Sequence, residues 1–281
     1  MNTLPAPGWE ELLRRITALR GSVLFLGRSD SGKSTLVRYL LQEVAAAGSA
    51  VALVDADVGQ SFLGLPGSVS RRTFHQPPSH RDLHWEELSF LGAVSPARIL
   101  SLLAAESARF VLRSRGDAAV TLVDTTGLVD GPIGRALKLA KIRAIEPELV
   151  VAVTAGDELE PILESLPEER IFRLAPSPLV EHRSAAVRFR YRHARLAAYF
   201  TGARDKLLST RRLVFIHHGM PVHPLFAPPE PGLVVGLNHH GETRGLAVVK
   251  EADADSLVIL TPLSSMSGLE RVVLGDFTLS P

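Results

Sequence analysis

Cysteine is absent from all 281 residues, which excludes disulfides and every thiolate metal site. No apolar run approaches the roughly 18 residues that span a bilayer, and Met1–Gly8 lacks the basic-then-apolar layout of a secretory leader. Both absences lead us to expect a cytoplasmic protein with no membrane partner. Internal repeats and low-complexity tracts are missing too. Net charge is scarce, only +1 overall, yet it is unevenly spread. Between Arg170 and Arg212 lie eleven basic side chains against two acidic ones, Glu181 and Asp205. A basic segment on an otherwise acidic body suits a polyanion; charge alone is equally consistent with a solvated arginine-rich helix.

What is present begins with 46% hydrophobic and 22% charged residues, enough for a sizeable core. Residues Gly27-Arg28-Ser29-Asp30-Ser31-Gly32-Lys33-Ser34-Thr35 read G-x-x-x-x-G-K-S, a phosphate-cradling loop. Ser22–Leu26 before it suits a buried strand. After it, Leu36, Val37, Leu40, Leu41 and Val44 recur at helical spacing from Lys33 to about Ala47. A strand end feeding a helix start lets backbone N–H groups and the helix dipole converge on an anion. Gly27, Ser29, Asp30, Ser31, Gly32, Lys33, Ser34 and Thr35 are the candidate nucleotide-binding residues. Lys33 is placed to reach the β- and γ-phosphates and Ser34 to ligate Mg²⁺.

A second strand, Ala50–Val54, runs into Asp55-Ala56-Asp57-Val58-Gly59-Gln60. Acidic residues at the carboxyl end of such a strand lie on the ligand-binding rim, and alternation is expected to point Asp55 and Asp57 the same way. One carboxylate then accepts a hydroxyl proton while another supports magnesium. A third strand, Ala119–Val123, closes on Asp124-Thr125-Thr126-Gly127. Asp124 therefore competes with Asp55 and Asp57 for the metal, the candidate ligands being Ser34, Asp57 and Asp124.

Ser61–His84 reads as a long functional loop. It carries Arg71, Arg72 and Arg81, and its His75, His80 and His84 are read as exposed rather than metal-binding. Gly134–Ile145 reads as a basic helix with Arg135, Lys138, Lys141 and Arg143. Strands at Leu149–Val153 and Ile171–Leu174 continue the alternation. Ser184–Phe200 is a helix whose Arg188, Arg192 and Arg195 share one face. From Leu213 the texture changes to short apolar strands with a proline-rich connector at Pro221–Pro231; the pairs His217-His218 and His239-His240 read as surface groups. The expected architecture is α/β: a P-loop NTPase with a mainly parallel sheet and helical lid, plus a small C-terminal β-rich module. Its expected parts are an N-terminal helix (1–20), a P-loop domain (21–205) with lid helix 184–200, and the β-rich module (206–281).

The P-loop, then D-A-D-V-G-Q, then Thr125-Thr126-Gly127, then an arginine-bearing helix ending in Tyr199-Phe200, resembles the polynucleotide 5′-hydroxyl kinases. That family includes the kinase subunit of the pre-mRNA cleavage complex, pre-rRNA-processing kinases and short prokaryotic members. The resemblance implies ATP or GTP with Mg²⁺ as cofactors and the 5′-hydroxyl ends of RNA or DNA as partners. It implies Lys33 and Ser34 on the nucleotide phosphates and Mg²⁺, and Asp55 as base with Asp57 and Gln60 supporting it. It makes Thr125, Thr126, Gly127 and Leu128 a clasp on the terminal nucleotide, and Arg188 and Arg192 the lid, with Arg195 beside the substrate. Leu128 stands where the family pattern has Trp, giving apolar contact in place of base stacking. The short N-terminus also lacks the extra domain of the longer eukaryotic members, so the resemblance does not imply membership of a large processing complex. The rival reading is a nucleotide-switch ATPase or GTPase with Asp124–Gly127 as γ-phosphate sensor, although no N-K-x-D guanine motif accompanies it.

Overall fold

Strand and helix alternate along the first two thirds of the chain, and the strands join into two sheets. The computed structural model describes residues 5–79, 83–178, 180–223 and 228–279. His80 and Arg81 of the long loop, and residues 224–227 of the connector, lie outside them.

The first sheet contains β1 (Gly21–Leu26), β2 (Val51–Ala56), β3 (Ser68–Phe74), β4 (Glu87–Phe90), β5 (Val120–Thr125), β6 (Leu149–Val153) and β7 (Ile171–Leu174). Their spatial order is β4-β3-β2-β5-β1-β6-β7. The five from β2 to β7 run parallel, whereas β3 and β4 form an antiparallel edge. Strands β1, β2, β5 and β6 are almost unbroken apolar runs because both faces are covered. Helices α1 (Trp9–Ala18) and α2 (Lys33–Ala46) pack on one face, with Trp9 5.1 Å from Tyr39. Helices α3 (Leu100–Ser114), α4 (Gly131–Ile145) and the short α5 (Glu160–Leu163) cover the other.

The expected 61–84 loop is interrupted by β3, whose polar sequence Ser-Val-Ser-Arg-Arg-Thr-Phe hides its strand character. Arg71 is not a loop arginine either. It is buried, pairing with Glu87 and Asp117 and donating from Nε to Ser114 Oγ at 2.8 Å. Pairing with β2 and β4 supplies the order that local pattern withheld.

Helix α6 (Ala185–Tyr199) leads to the second sheet, made of β8 (Arg204–Ser209), β9 (Val214–His217), β10 (Met220–Val222), β11 (Leu233–His239), β12 (Glu242–Ala252), β13 (Ser256–Thr261) and β14 (Arg271–Thr278). The order is β10-β9-β14-β11-β12-β13-β8, antiparallel except for the β9–β14 pair. The two sheets share a core. Phe90 and Leu88 of β4 pack with Leu196 and Phe200 at the end of α6 and with Val234 and Val248. Phe90 N donates to Thr243 Oγ1 at 2.9 Å, and Asp276 N to Gly92 O at 2.7 Å. Among the described residues no helix is long and apolar enough to cross a membrane.

Phe90 lies over Gly236, where a Cβ would sit 2.8 Å from its ring, so the junction is closely fitted. Phe90→Ala is expected to cost about 3–5 kcal/mol in urea unfolding. A loss below about 1 kcal/mol would show that the two sheets do not stabilise one another.

Candidate active site

The parallel strands end together, and the acidic and phosphate-binding segments gather at their carboxyl edge. After β1 the chain turns at Gly27 (φ 154°) and enters α2 through Gly32 (φ 90°). A side chain at 27 would overlap the carbonyl of Val153, so glycine is required there. Lys33 is buried, and its Nζ donates to Arg28 O at 2.7 Å and Ser31 Oγ at 3.4 Å. Burial lowers its pKa, opposed by the charges of Asp124, Asp57 and Asp30. The loop's own carbonyl thus holds the ammonium in the hollow that a phosphate enters.

Strands β2 and β5 lie in a register that sets Asp55 beside Asp124. Asp124 Oδ2 accepts a 2.6 Å hydrogen bond from Ser34 Oγ, and Oδ1 accepts one from Thr125 N at 2.9 Å. Burial, reinforced by Asp55 and Asp57, raises its pKa to about 7. A serine hydroxyl and a carboxylate at this separation form the hard-oxygen donor set that Mg²⁺ takes.

Asp55 departs from the sequence-based expectation. It is fully buried: Oδ2 accepts from Ser61 Oγ (2.9 Å), Phe62 N (2.8 Å) and Leu63 N (2.9 Å), and Oδ1 from Asp57 N (3.1 Å). Burial raises its pKa. Its oxygens therefore organise the loop after β2. The alternation argument fails because β2 ends at Ala56 and Asp57 opens a turn. Asp57 is half-buried, with Oδ1 accepting from Gly59 N and Gln60 N at 3.0 Å each. No donor reaches its Oδ2 among the described residues. Gln60 Nε2 donates to Gly59 O at 2.7 Å and to Arg188 O at 3.4 Å.

Helix α6 starts at Ser184, whose Oγ caps Val187 N. Arg188 pairs with Asp30 of the phosphate loop at 2.6 Å, and Arg183 N donates to the same Oδ2 at 3.1 Å. Tyr191 OH donates to Ser61 O at 2.8 Å, and Arg195 donates to the carbonyls of Phe62, Leu63 and Gly64. Arg195 thus braces the loop that Asp55 organises. Arg192 sits between them, half-buried, with no hydrogen bond or ion pair among the described residues; burial and Arg188 lower its pKa.

Thr125 Oγ1 donates to Phe25 O at 2.6 Å, tying β5 to the strand that feeds the phosphate loop. Gly127 lies against Ser29 so closely that a Cβ would overlap its backbone. Leu128 packs on the core beside α3 and α4. Arg28 makes a forked contact to Asp130, closest at 2.6 Å. The paired histidines of the second sheet face carboxylates: His217 and His218 meet Asp276, and His240 meets Glu270. Lys138 and Lys141, read in the sequence only as part of a basic helix, are fully buried beneath this edge. The signal was present, since both fall inside the buried stripe Gly134, Leu137, Ile142 and Ile145.

The family model for the P-loop of mRNA cleavage and polyadenylation factor CLP1 matches residues 27–202. The chain belongs to this CLP1 P-loop family. Its curated relatives include polyribonucleotide 5′-hydroxyl-kinases of Pyrococcus furiosus (29% identical; 73% of this chain, 58% of the relative) and Thermococcus kodakarensis (30%; 72% and 59%). A CLP1 homolog of Arabidopsis thaliana is 29% identical over 66% of this chain and 45% of its own. The chain thus spans little more than half the length of the archaeal relatives. Among solved structures, a chain of the wild-type Clp1p–Pcf11p complex superposes with a TM-score of 0.75 at 14% identity, covering 96% of this chain and 78% of that one. That likeness establishes a shared fold across both sheets.

The two aspartates after β2 are expected to separate cleanly. Asp55→Ala strands buried donors and should lower stability by about 2–4 kcal/mol in urea unfolding. Asp57→Asn keeps Oδ1 for the two amides and should stay within about 0.5 kcal/mol of the parent. Equal losses at both positions would refute the division of labour.

Proposed function

We propose that this CLP1-family chain is a polynucleotide 5′-hydroxyl kinase that transfers the γ-phosphate of a nucleoside triphosphate to the 5′-hydroxyl end of RNA. The observation that carries this reading is the lid helix α6 lying on the phosphate loop, with Arg188 on Asp30 and, beside it, Arg192, which has no partner among the described residues. Arginines placed over the phosphate loop suit transfer of a phosphoryl group, because charge spreads over its oxygens in the transition state. The archaeal relatives named polyribonucleotide 5′-hydroxyl-kinases support the same reading.

In this reading the amides of residues 27–35 and Lys33 cradle the triphosphate, Lys33 exchanging Arg28 O for phosphate oxygen. Ser34 and Asp124 would hold Mg²⁺, with Asp57 nearby, and the cation would neutralise phosphate charge. Asp57 orients the acceptor hydroxyl and takes its proton, since Asp55 is committed to the loop. Arg192 closes on the transferring group and Arg188 fixes the lid to the loop. Thr125–Leu128 forms the wall against which the terminal nucleotide rests, with Leu128 offering apolar contact only.

The deciding assay supplies γ-labelled ATP with Mg²⁺ and three strands: 5′-hydroxyl RNA, 5′-hydroxyl DNA and 5′-phosphate RNA. Label is expected on 5′-hydroxyl RNA and not on the phosphorylated control. Asp57→Asn and Arg192→Ala should each lower transfer by about 10²–10³-fold while nucleotide binding persists. Release of labelled inorganic phosphate with no labelled strand would overturn the reading in favour of a switch ATPase.

A further inference from the structure

Two lysines of α4 occupy positions where a buried helix stripe calls for apolar side chains. Lys138 and Lys141 are fully buried, and the transfer set out above uses neither. An ammonium removed from water is tolerated only where acceptors replace its hydration, so the acceptors show what the residue serves. Lys138 Nζ donates to Thr126 O at 2.5 Å, Thr125 Oγ1 at 3.0 Å and, more weakly, Thr126 Oγ1 at 3.4 Å. All of these belong to the turn that follows β5. Lys141, nearly one helical turn further on, donates to Ala56 O at 3.3 Å, at the end of β2.

That turn meets the phosphate loop at both of its ends. Before it, Asp124 Oδ2 accepts from Ser34; after it, Gly127 abuts the backbone of Ser29. Thr125 is held sideways to Phe25 O of β1. Lys138 is therefore the anchor beneath a bridge between Ser29 and Ser34 of the cradle. Burial draws its pKa well below the ordinary lysine value, and neighbouring Lys141 adds to that effect, so a lysine here is costly to keep. An apolar residue of similar length would fill the space without that cost but leave the turn's inward oxygens without a donor.

We propose that Lys138 is a positioning residue for phosphoryl transfer: it fastens the Thr125–Gly127 turn against the phosphate loop and so fixes the wall on which the acceptor end is aligned. This role rests on the kinase reading of the site. Alignment acts on turnover rather than on nucleotide affinity, because the cradle's amides and Lys33 remain in place.

The test compares parent and Lys138→Met as the full chain, with rates normalised to the fraction that binds nucleotide. We expect kcat for 5′-hydroxyl RNA to fall about 30–100-fold, while Kd for a fluorescent ATP analogue stays within about threefold. Hydrogen exchange followed by mass spectrometry should show residues 124–130 exchanging about tenfold faster in the variant, with β6 unchanged. A merely structural lysine would lower the folded fraction without splitting kcat from Kd. Should Lys138→Met not fold, Thr125→Val takes its place; it preserves side-chain shape, removes one Lys138 partner and should lower kcat by at least about fivefold. An active parent whose folded variant keeps kcat within about twofold, or keeps the exchange of the turn, overturns the role of Lys138. A parent with no transfer activity overturns the kinase reading itself, which the unchanged or changed exchange of the turn then cannot rescue.

Discussion

Like charges crowded at the carboxyl edge of the parallel sheet are the constraint around which this molecule is built. Asp57 adds to the raised pKa of Asp55, and Asp55 and Asp57 add to that of Asp124, and burial leaves little water to screen the repulsion. Lys33 enters this edge from α2, while Lys138 and Lys141 approach from α4. Lys33 offsets the carboxylates without cancelling them: Asp124 is still held up to about 7. An edge left short of positive charge, with a serine hydroxyl 2.6 Å from its most perturbed carboxylate, is suited to a divalent cation carried in with a triphosphate.

Geometry then runs outward from the buried carboxylate of Asp55. Asp55 gathers Ser61, Phe62 and Leu63 onto one oxygen. The carbonyls of that same loop accept Tyr191 and Arg195 of α6. Arg188 holds its place on the phosphate loop because the next turns of its helix are seated on a loop shaped by Asp55. A substitution at Asp55 would disturb the lid at a distance, and a kinetic loss there would be no evidence of proton transfer by that residue. Coupling of this kind needs no special pathway beyond contiguous hydrogen bonds.

How much of this was legible in the sequence depended on whether the deciding interaction was local. The P-loop, its flanking strand and helix, the acidic strand ends and the arginine face of α6 are patterns within a few residues, and the structure places them side by side. The separate fates of Asp55 and Asp57 were not legible, because they hinge on where β2 stops. Strand β3 was hidden for a different reason: its polar residues are ordered by pairing with β2 and β4, and Arg71 is buried only because Glu87 and Asp117 come to it. The burial of Lys138 and Lys141 was obscured by residue type. Their spacing placed them in the buried stripe, but lysine is ordinarily assigned to the surface unless a partner is known, and the partners are backbone and hydroxyl oxygens on distant strands.

The second sheet has its place in the same chain of causes. Only Leu196 of α6 is deeply buried along the helix itself, so the first domain-like layer alone gives the lid little apolar anchorage. The anchorage comes at its far end, where Leu196 and Phe200 join Phe90, Val234 and Val248 and where Leu246 N donates to Tyr199 OH at 2.9 Å. One end of α6 is therefore set by the phosphate loop through Arg188 and the other by the second sheet. A helix pinned at both ends can present Arg192 with small positional error, and small error is what alignment in phosphoryl transfer demands. The C-terminal strands thus contribute to the site without touching it, as the abutment against which the lid is held.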